Sequence, residues 1–271
     1  MSLRVRAPAT TANLGPGFDC AAAALDLWNE LELTRNGGAA DPAHLGVRAF
    51  ACLAPTDGWS FSFTDRIPRE RGLGSSASVV ALGLVAAAVV SGLEPNVDEL
   101  LAAGVELEGH ADNLAAALAG GVCLTWGGRI ARVADEAPAS PIAVVPDYHV
   151  NTLESRGALP VSVGHAEASF TAAHAALLGA ALASGSAELF AEALDDRLHE
   201  PYRAASAPLL AVVRADLPPG ALGATLSGSG PSVIVWARPA EAAACARVLT
   251  QRFPDADVLR LRITPTGAGP L

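Results

Sequence analysis

Gly72-Leu-Gly-Ser-Ser76 opens directly into an apolar run, Ala77 to Leu93, and this junction constrains the fold more than any other stretch of the chain. A glycine-serine turn feeding a helix leaves the first N–H groups of that helix unpaired and lets a ligand approach the backbone. Together with the helix dipole this makes an anion site. Ser75 and Ser76 add hydroxyls. The lysine-containing phosphate loop G-x-x-x-x-G-K-[ST] is excluded, because the 271 residues include no lysine. A serine N-cap on a core helix accounts for the same residues without a ligand. The run itself is near the lower limit for a membrane span and carries Ser78, Gly83, Ser91 and Gly92, so a buried helix is the better reading.

The length suits one large or two ordinary domains. A net charge of −10 without any basic run gives no electrostatic footprint for nucleic acid or an anionic membrane, so neither is an expected partner. If the protein handles ATP, a divalent cation must offset the phosphates, since the protein's own field opposes them. Cys20, Cys52, Cys123 and Cys245 are too scattered for a zinc site or a disulfide framework. The N-terminal residues lack the apolar segment of a secretory signal, and a cytoplasmic protein is expected.

Period-two alternation predicts strands over residues 3–7 and 25–33, joined by a turn-rich connection from Pro8 to Asp19. Residues 36–60 hold at most one short helix, near 44–53, and Phe61 and Phe63 mark a strand leading to the glycine turn. Helices are expected over 76–91, from an Asn96 N-cap with Glu99 three residues on, and from His110 to Gly120-Gly121. A strand spans 122–126, and the Ala- and Pro-rich stretch 134–141 reads as a linker. Beyond it come helices near 165–184, 186–199 and 240–252, and strands near 222–227, 232–237 and 256–263. The pattern predicts an α+β protein of two domains, residues 1–137 and 138–271.

Three separated segments occur together: Pro8-Ala-Thr-Thr-Ala-Asn-Leu-Gly-Pro-Gly-Phe-Asp19, Gly72-Leu-Gly-Ser-Ser-Ala-Ser78 and Leu226-Ser-Gly-Ser-Gly-Pro-Ser232. In order and spacing the chain resembles the GHMP kinases, small-molecule kinases that lack the P-loop lysine. With Glu108-Gly-His-Ala-Asp-Asn113 and His199-Glu-Pro-Tyr-Arg203 it is similar to the branch that acts on L-homoserine. The resemblance covers residues 4–236. It implies the two-domain GHMP kinase fold, with a ribosomal-S5-domain-2-like N-terminal domain and a ferredoxin-like C-terminal domain. It further implies ATP and Mg2+ as cofactors, and transfer of phosphate to the hydroxyl of L-homoserine in threonine biosynthesis. A homodimer is compatible with it.

Residue roles follow from the same resemblance. Pro68, Arg69, Glu70, Arg71, Gly72, Leu73, Gly74, Ser75, Ser76 and Ala77 would form the nucleotide loop. Arg69 and Arg71 stand where the family has small residues, and would replace backbone contacts or reach a phosphate. Residues 36–60 look shortened, with His44 near the place of a nucleotide-binding asparagine. Ser76 and Glu108 match the magnesium ligands; both are hard oxygen donors, and Glu106 is the alternative to Glu108.

Homoserine is a zwitterion with a hydroxyl, so its pocket needs a cationic fork, an acceptor for the ammonium and a group that orients the hydroxyl. Arg156 and Arg203 match the carboxylate-binding arginines. Asp19 matches the ammonium partner, with Asn13 and Thr152 beside them, and Asn113 or Asp112 would hold the hydroxyl. Ordinary turn chemistry also accounts for Asn13 and Asp19, a solvated helix face for Glu108, and a plain hairpin turn for Ser227 to Pro231. His110 and His199 could be active-site residues but read as structural histidines. Another GHMP-type kinase and a non-catalytic ligand-binding homologue remain the alternatives; no G-x-S-x-G occurs, so a serine hydrolase is set aside.

Overall fold

The computed structural model describes residues 2–35, 38 and 40–271, apart from the side chains of residues 152 and 153. Two antiparallel sheets organise them. In the first, β1 (Ser2–Asn13) and β2 (Gly17–Thr34) form a long hairpin. After α1 (Leu45–Ala51), β3 (Ser60–Thr64) pairs with the far half of β2. Three helices follow: α2 (Ser75–Val90), α3 (Val97–Glu108) and α4 (Ala111–Ala119). Then β4 (Val122–Trp126) pairs with the near half of β2, and β5 (Arg129–Ala134) completes that edge.

The second sheet starts at β6 (Ser140–Val145). Helices α5 (Thr152–Gly157), α6 (His165–Ser184), α7 (Ala187–Ala193), α8 (Glu200–Arg203) and α9 (Leu209–Ala215) lead to β7 (Ala221–Leu226) and β8 (Val233–Ala237). Helix α10 (Ala242–Arg252) and β9 (Asp257–Arg260) close a four-stranded sheet of order β7-β8-β6-β9. Finally β10 (Gly269–Pro270) crosses back to pair with β1, so the chain end lies in the first sheet.

Strand alternation assigns side chains to three cores. Helix α2 is buried on nearly every side, from Ala77 to Ala88, and packs with α1, α3 and α4 on one face of the first sheet, where Ala22, Leu31 and Leu33 point. The opposite face, through Ala21, Ala23 and Leu25, shares a core with Ala143 and Val145 of β6, Ile234 and Trp236 of β8, and Leu178, Ala181 and Leu182 of α6. The alternate residues Ile142, Val144, Val233 and Val235 face α9 and α10. Period two thus places one face of the second sheet against the first, joining the halves through apolar contact. Among the described residues α6 alone has the length and apolarity of a membrane span, and it uses its apolar side on this shared core.

Three sequence expectations are corrected. The connection from Pro8 to Asp19 is mostly strand, because the ladder shifts register between Pro8 and Ala9, a break that accommodates a residue with no N–H to donate. The helix expected over 186–199 stops at Ala193. The Asp196 carboxylate takes the N–H groups of Leu198, His199 and Glu200 at 2.9, 2.7 and 2.9 Å and starts α8 instead. Ahead of the linker lies β5, a strand unforeseen beyond the Gly127-Gly128 turn, and at the linker's far end β6 takes up Ser140 and Pro141.

Candidate active site

The first turn of α2 supplies the anion-binding backbone. Gly74 occupies its N-cap at φ 64°, with no side-chain cap, so the N–H groups of Ser75, Ser76 and Ala77 are left to a ligand. A Cβ at Gly74 would overlap the Thr10 hydroxyl, and one at Gly72 the Ser227 carbonyl. The turn is also stitched into both halves of the molecule. Thr10 N–H donates to Leu73 O at 3.1 Å, and Ser227 Oγ to Gly72 O at 2.6 Å. Arg71 donates from Nε to Pro146 O at 2.8 Å and from Nη2 to Asp147 O at 2.6 Å, and contacts His149.

A cleft of about 370 Å³ opens at this turn. Glu70 to Ser76 line one wall, Glu108, His110, Asp112 and Asn113 a second, and Asn13, Asp19, Arg156, Arg203, Gly228 and Ser229 the far end. Pro68 and Arg69 lie outside it: they line a neighbouring groove with residues 145–147, 149 and 254–257, and Arg69 is held by Asp65, four residues earlier. Ala77 has turned into the core. The Thr152 side chain lies outside the described residues. His44 caps α1, its Nδ1 accepting from Gly46 N–H at 3.2 Å, and stacks on Phe63.

Ser76 Oγ donates to Glu108 Oε2 at 2.8 Å. Burial pushes the Glu108 carboxyl up to about 7 against the opposing pull of that hydrogen bond. A desolvated carboxylate beside a hydroxyl, with no cationic side chain paired to it among the described residues, fits a hard divalent cation. No group of three or more His, Cys, Asp or Glu converges among the described residues. Further oxygen ligands for such a cation would therefore have to come from phosphate or water. Glu106 is exposed and away from the cleft.

Asn113 is fixed from two sides. Thr10 Oγ1 donates to its Oδ1 at 2.6 Å, while Asp112 Oδ1 accepts from its backbone N–H at 2.7 Å and its Nδ2 at 3.3 Å. Burial raises the Asp112 carboxyl above the usual range. Sequence reasoning missed Thr10. Its signal was Thr10-Thr11 set in the small apolar run Ala7-Pro8-Ala9 to Ala12, where buried hydroxyls must find partners.

At the far end Asn13, at φ 72°, accepts the Asp19 N–H at 3.2 Å and donates to Gly228 O at 3.0 Å. Asp19 sits at φ 55°, and Glu70 also has a positive φ, so backbone strain gathers around the cleft. Arg156 forks onto Asp19 at 2.7 and 3.0 Å, with His110 Nδ1 at 3.3 Å. Arg203 donates to His199 Nδ1 at 3.0 Å and Gly228 O at 3.1 Å. Both guanidinium carbons lie near the Phe18 ring, at 5.7 and 5.4 Å from its centroid. The Nε atoms of Arg156 and Arg203 are buried without a hydrogen-bond partner. Burial, then the nearby Arg156, disfavours the Arg203 charge. A buried Arg203 and a half-buried Arg156, each with a spare donor, suit an anionic ligand group. His199 is fully buried, donating from Nε2 to Gly15 O at 2.9 Å, and holds this floor in place.

Two family models match the chain, the GHMP kinases N-terminal domain over residues 43–121 and the GHMP kinases C-terminal domain over 178–255. This chain belongs to the GHMP kinase family. Among curated relatives of this GHMP kinase, the homoserine kinase of a Synechococcus species is 40% identical over 270 residues, covering 90% of this chain and 88% of the relative. The homoserine kinase of Gloeobacter violaceus is 38% identical over 289 residues, covering 97% of each. The crystal structure of a homoserine kinase from Cytophaga hutchinsonii superposes with a TM-score of 0.89 at 26% identity, covering 100% of this chain and 97% of that one. The mevalonate kinase of Methanococcus jannaschii, at TM-score 0.67 and 15% identity over 97% of this chain and 99% of that one, shares the fold. The protein is thus a kinase of α+β architecture, and its family implies the use of ATP.

Proposed function

We propose that this GHMP kinase transfers the γ-phosphoryl group of ATP to the hydroxyl of L-homoserine, giving ADP and O-phospho-L-homoserine. The observation that carries this reading is the far end of the cleft, where two arginines with unpartnered buried donors meet an aspartate. A carboxylate takes the arginine fork and an ammonium takes Asp19, so a zwitterion with a free hydroxyl fits, whereas mevalonate carries no ammonium. Similarity to homoserine kinases over nearly the whole chain supports the same substrate. On this reading the enzyme works in the cytoplasm, with residues 1–137 as the nucleotide domain and 138–271 as its partner domain.

The chemistry asks mainly for positioning and charge stabilisation. Backbone N–H groups of Ser75, Ser76 and Ala77 hold the phosphates at the start of α2. Ser76 and Glu108 would hold Mg2+, which would supply positive charge against the phosphates. Arg156, Arg203 and Asp19 fix the amino-acid head. Asn113, its carboxamide set by Thr10 and Asp112, orients the substrate hydroxyl toward phosphorus. As the hydroxyl oxygen bonds to phosphorus and the β–γ bridge breaks, the hydroxyl proton leaves, and Asp112, hydrogen-bonded to Asn113 on the cleft wall, is the carboxylate placed to receive it. A loose transition state needs only weak assistance from such a base.

Arg203 supplies the test. Each charge-assisted contact is worth about 1.5–3 kcal/mol, so Arg203→Ala lowers kcat/KM for homoserine by roughly one to two orders of magnitude while KM for ATP moves little. Arg203→Lys recovers only part, since an ammonium keeps charge but loses the fork. Steady-state kinetics that leave the homoserine value at the parental level would contradict the assignment.

A further inference from the structure

Asp19 and Arg156 are both assigned to substrate, yet in this structure they are bound to each other. Arg156 donates through Nη1 and Nη2 to the two oxygens of Asp19, at 3.0 and 2.7 Å. The pair is half-buried, with 35% of the Arg156 side chain and 40% of the Asp19 side chain exposed. The positive φ of Asp19 and the Asn13 side chain that receives its N–H hold the carboxylate at that point. Each charge is therefore the other's counter-ion, and any ligand reaching either must first take it from its partner.

A zwitterion can do this without loss, because its carboxylate replaces Asp19 on the guanidinium while its ammonium replaces the guanidinium on Asp19. One ion pair becomes two, and no charge is stranded. A compound with only one of the two charges that reaches Arg156 or Asp19 breaks the same pair. It leaves the other member without its hydrogen-bonded counter-ion, facing only the more distant charge of Asp112 or Arg203, in a cleft that the ligand itself has dried, a cost that two paired charges do not carry. Resting on the homoserine reading above, we propose that the Asp19–Arg156 ion pair is a specificity-determining device that admits a zwitterionic substrate and rejects compounds carrying either charge alone. It acts by repelling wrong substrates rather than by adding a contact to the right one.

The two half-substrates of homoserine separate this from simple loss of contacts. 4-Hydroxybutyrate keeps the carboxylate and 3-aminopropanol keeps the ammonium. Asp19→Asn, which retains the shape and suits a positive φ, frees Arg156. It should raise kcat/KM for 4-hydroxybutyrate, or its strength as a competitive inhibitor, by about three- to tenfold, the scale of a half-exposed ion pair no longer to be broken. In the same variant homoserine should fall by at least about tenfold, through loss of the ammonium contact. Arg156→Gln is the mirror variant, improving 3-aminopropanol and impairing homoserine. If homoserine falls in these variants but neither half-substrate improves, the exchange is overturned and the substrate assignment stands. If homoserine turnover is unmoved by both substitutions, the assignment of these residues to substrate fails with it.

Discussion

Glu108 is exposed to competing demands, since burial raises its proton affinity to about 7 while the Ser76 hydroxyl, 2.8 Å away, favours its charged form. Removing either partner should weaken metal-dependent turnover without unfolding the chain, because both side chains line the cleft. Ser76→Ala and Glu108→Gln are each expected to lower kcat at limiting Mg2+ by roughly ten- to a hundredfold, the scale of a lost contact to a charged ligand. Mg2+ titrations of activity, with thermal melts close to the parent, check this. His199 makes a separate prediction about stability. Burial depresses its pKa to about 4 from 6.5, so the unfolded chain takes up the proton first and stability falls as pH drops from about 6.5 toward about 4. In His199→Gln that slope should flatten, as read by chemical denaturation at a series of pH values; equal slopes in parent and variant would contradict a neutral buried imidazole. Arg156, Arg203 and Asp19 were reached through the resemblance to the family, residue type alone leaving Asp19 open to ordinary turn chemistry, and the fold brings the three to one end of one cleft. Thr10-Thr11 hinted at buried hydroxyls but not at their role, which comes only from the fold setting Thr10 against Asn113 and the Gly74 turn.

The glycine turn before α2 holds its shape through neighbours on three other elements, so its tolerance for change is low. Gly74→Val puts a branched side chain at φ 64° against the Thr10 hydroxyl, and should abolish ATP binding at a strain cost of about 1–3 kcal/mol. Calorimetry with ATP reads the outcome, and unchanged affinity would sink the placement of phosphate at this turn. Elements carrying their own signals were legible: the apolar stretch of α2, the Asn96 cap of α3, whose side chain accepts from Asp98 and Glu99 N–H at 3.0 and 3.3 Å, and the long α6. Those held by distant contacts were not. Helix α8 starts only because Asp196 gathers three N–H groups. The last residues of β1 are strand only because β2 pairs with them beyond the Pro8/Ala9 break. Short α5 and α9 and the two-residue β10 have too few residues to show a period.

Across the whole molecule, the shared core between the sheets fixes the nucleotide turn of one half against the arginines of the other. Trp236 lies at its centre, fully buried, with Nε1 donating to Thr225 Oγ1 at 2.9 Å and its ring edge-on to Phe190. The cleft forms where these halves meet, which is why no single motif disclosed it while several in order did. An overall charge of −10 opposes the approach of ATP and makes a divalent ion part of the balance. ADP release by the parent protein with ATP and Mg2+, measured across L-homoserine, mevalonate, shikimate and galactose, decides the substrate. With two arginines and Asp19 recognising the amino-acid head, kcat/KM for homoserine should exceed the others by about a hundredfold or more. Comparable turnover of mevalonate or galactose, or none of homoserine, would contradict it.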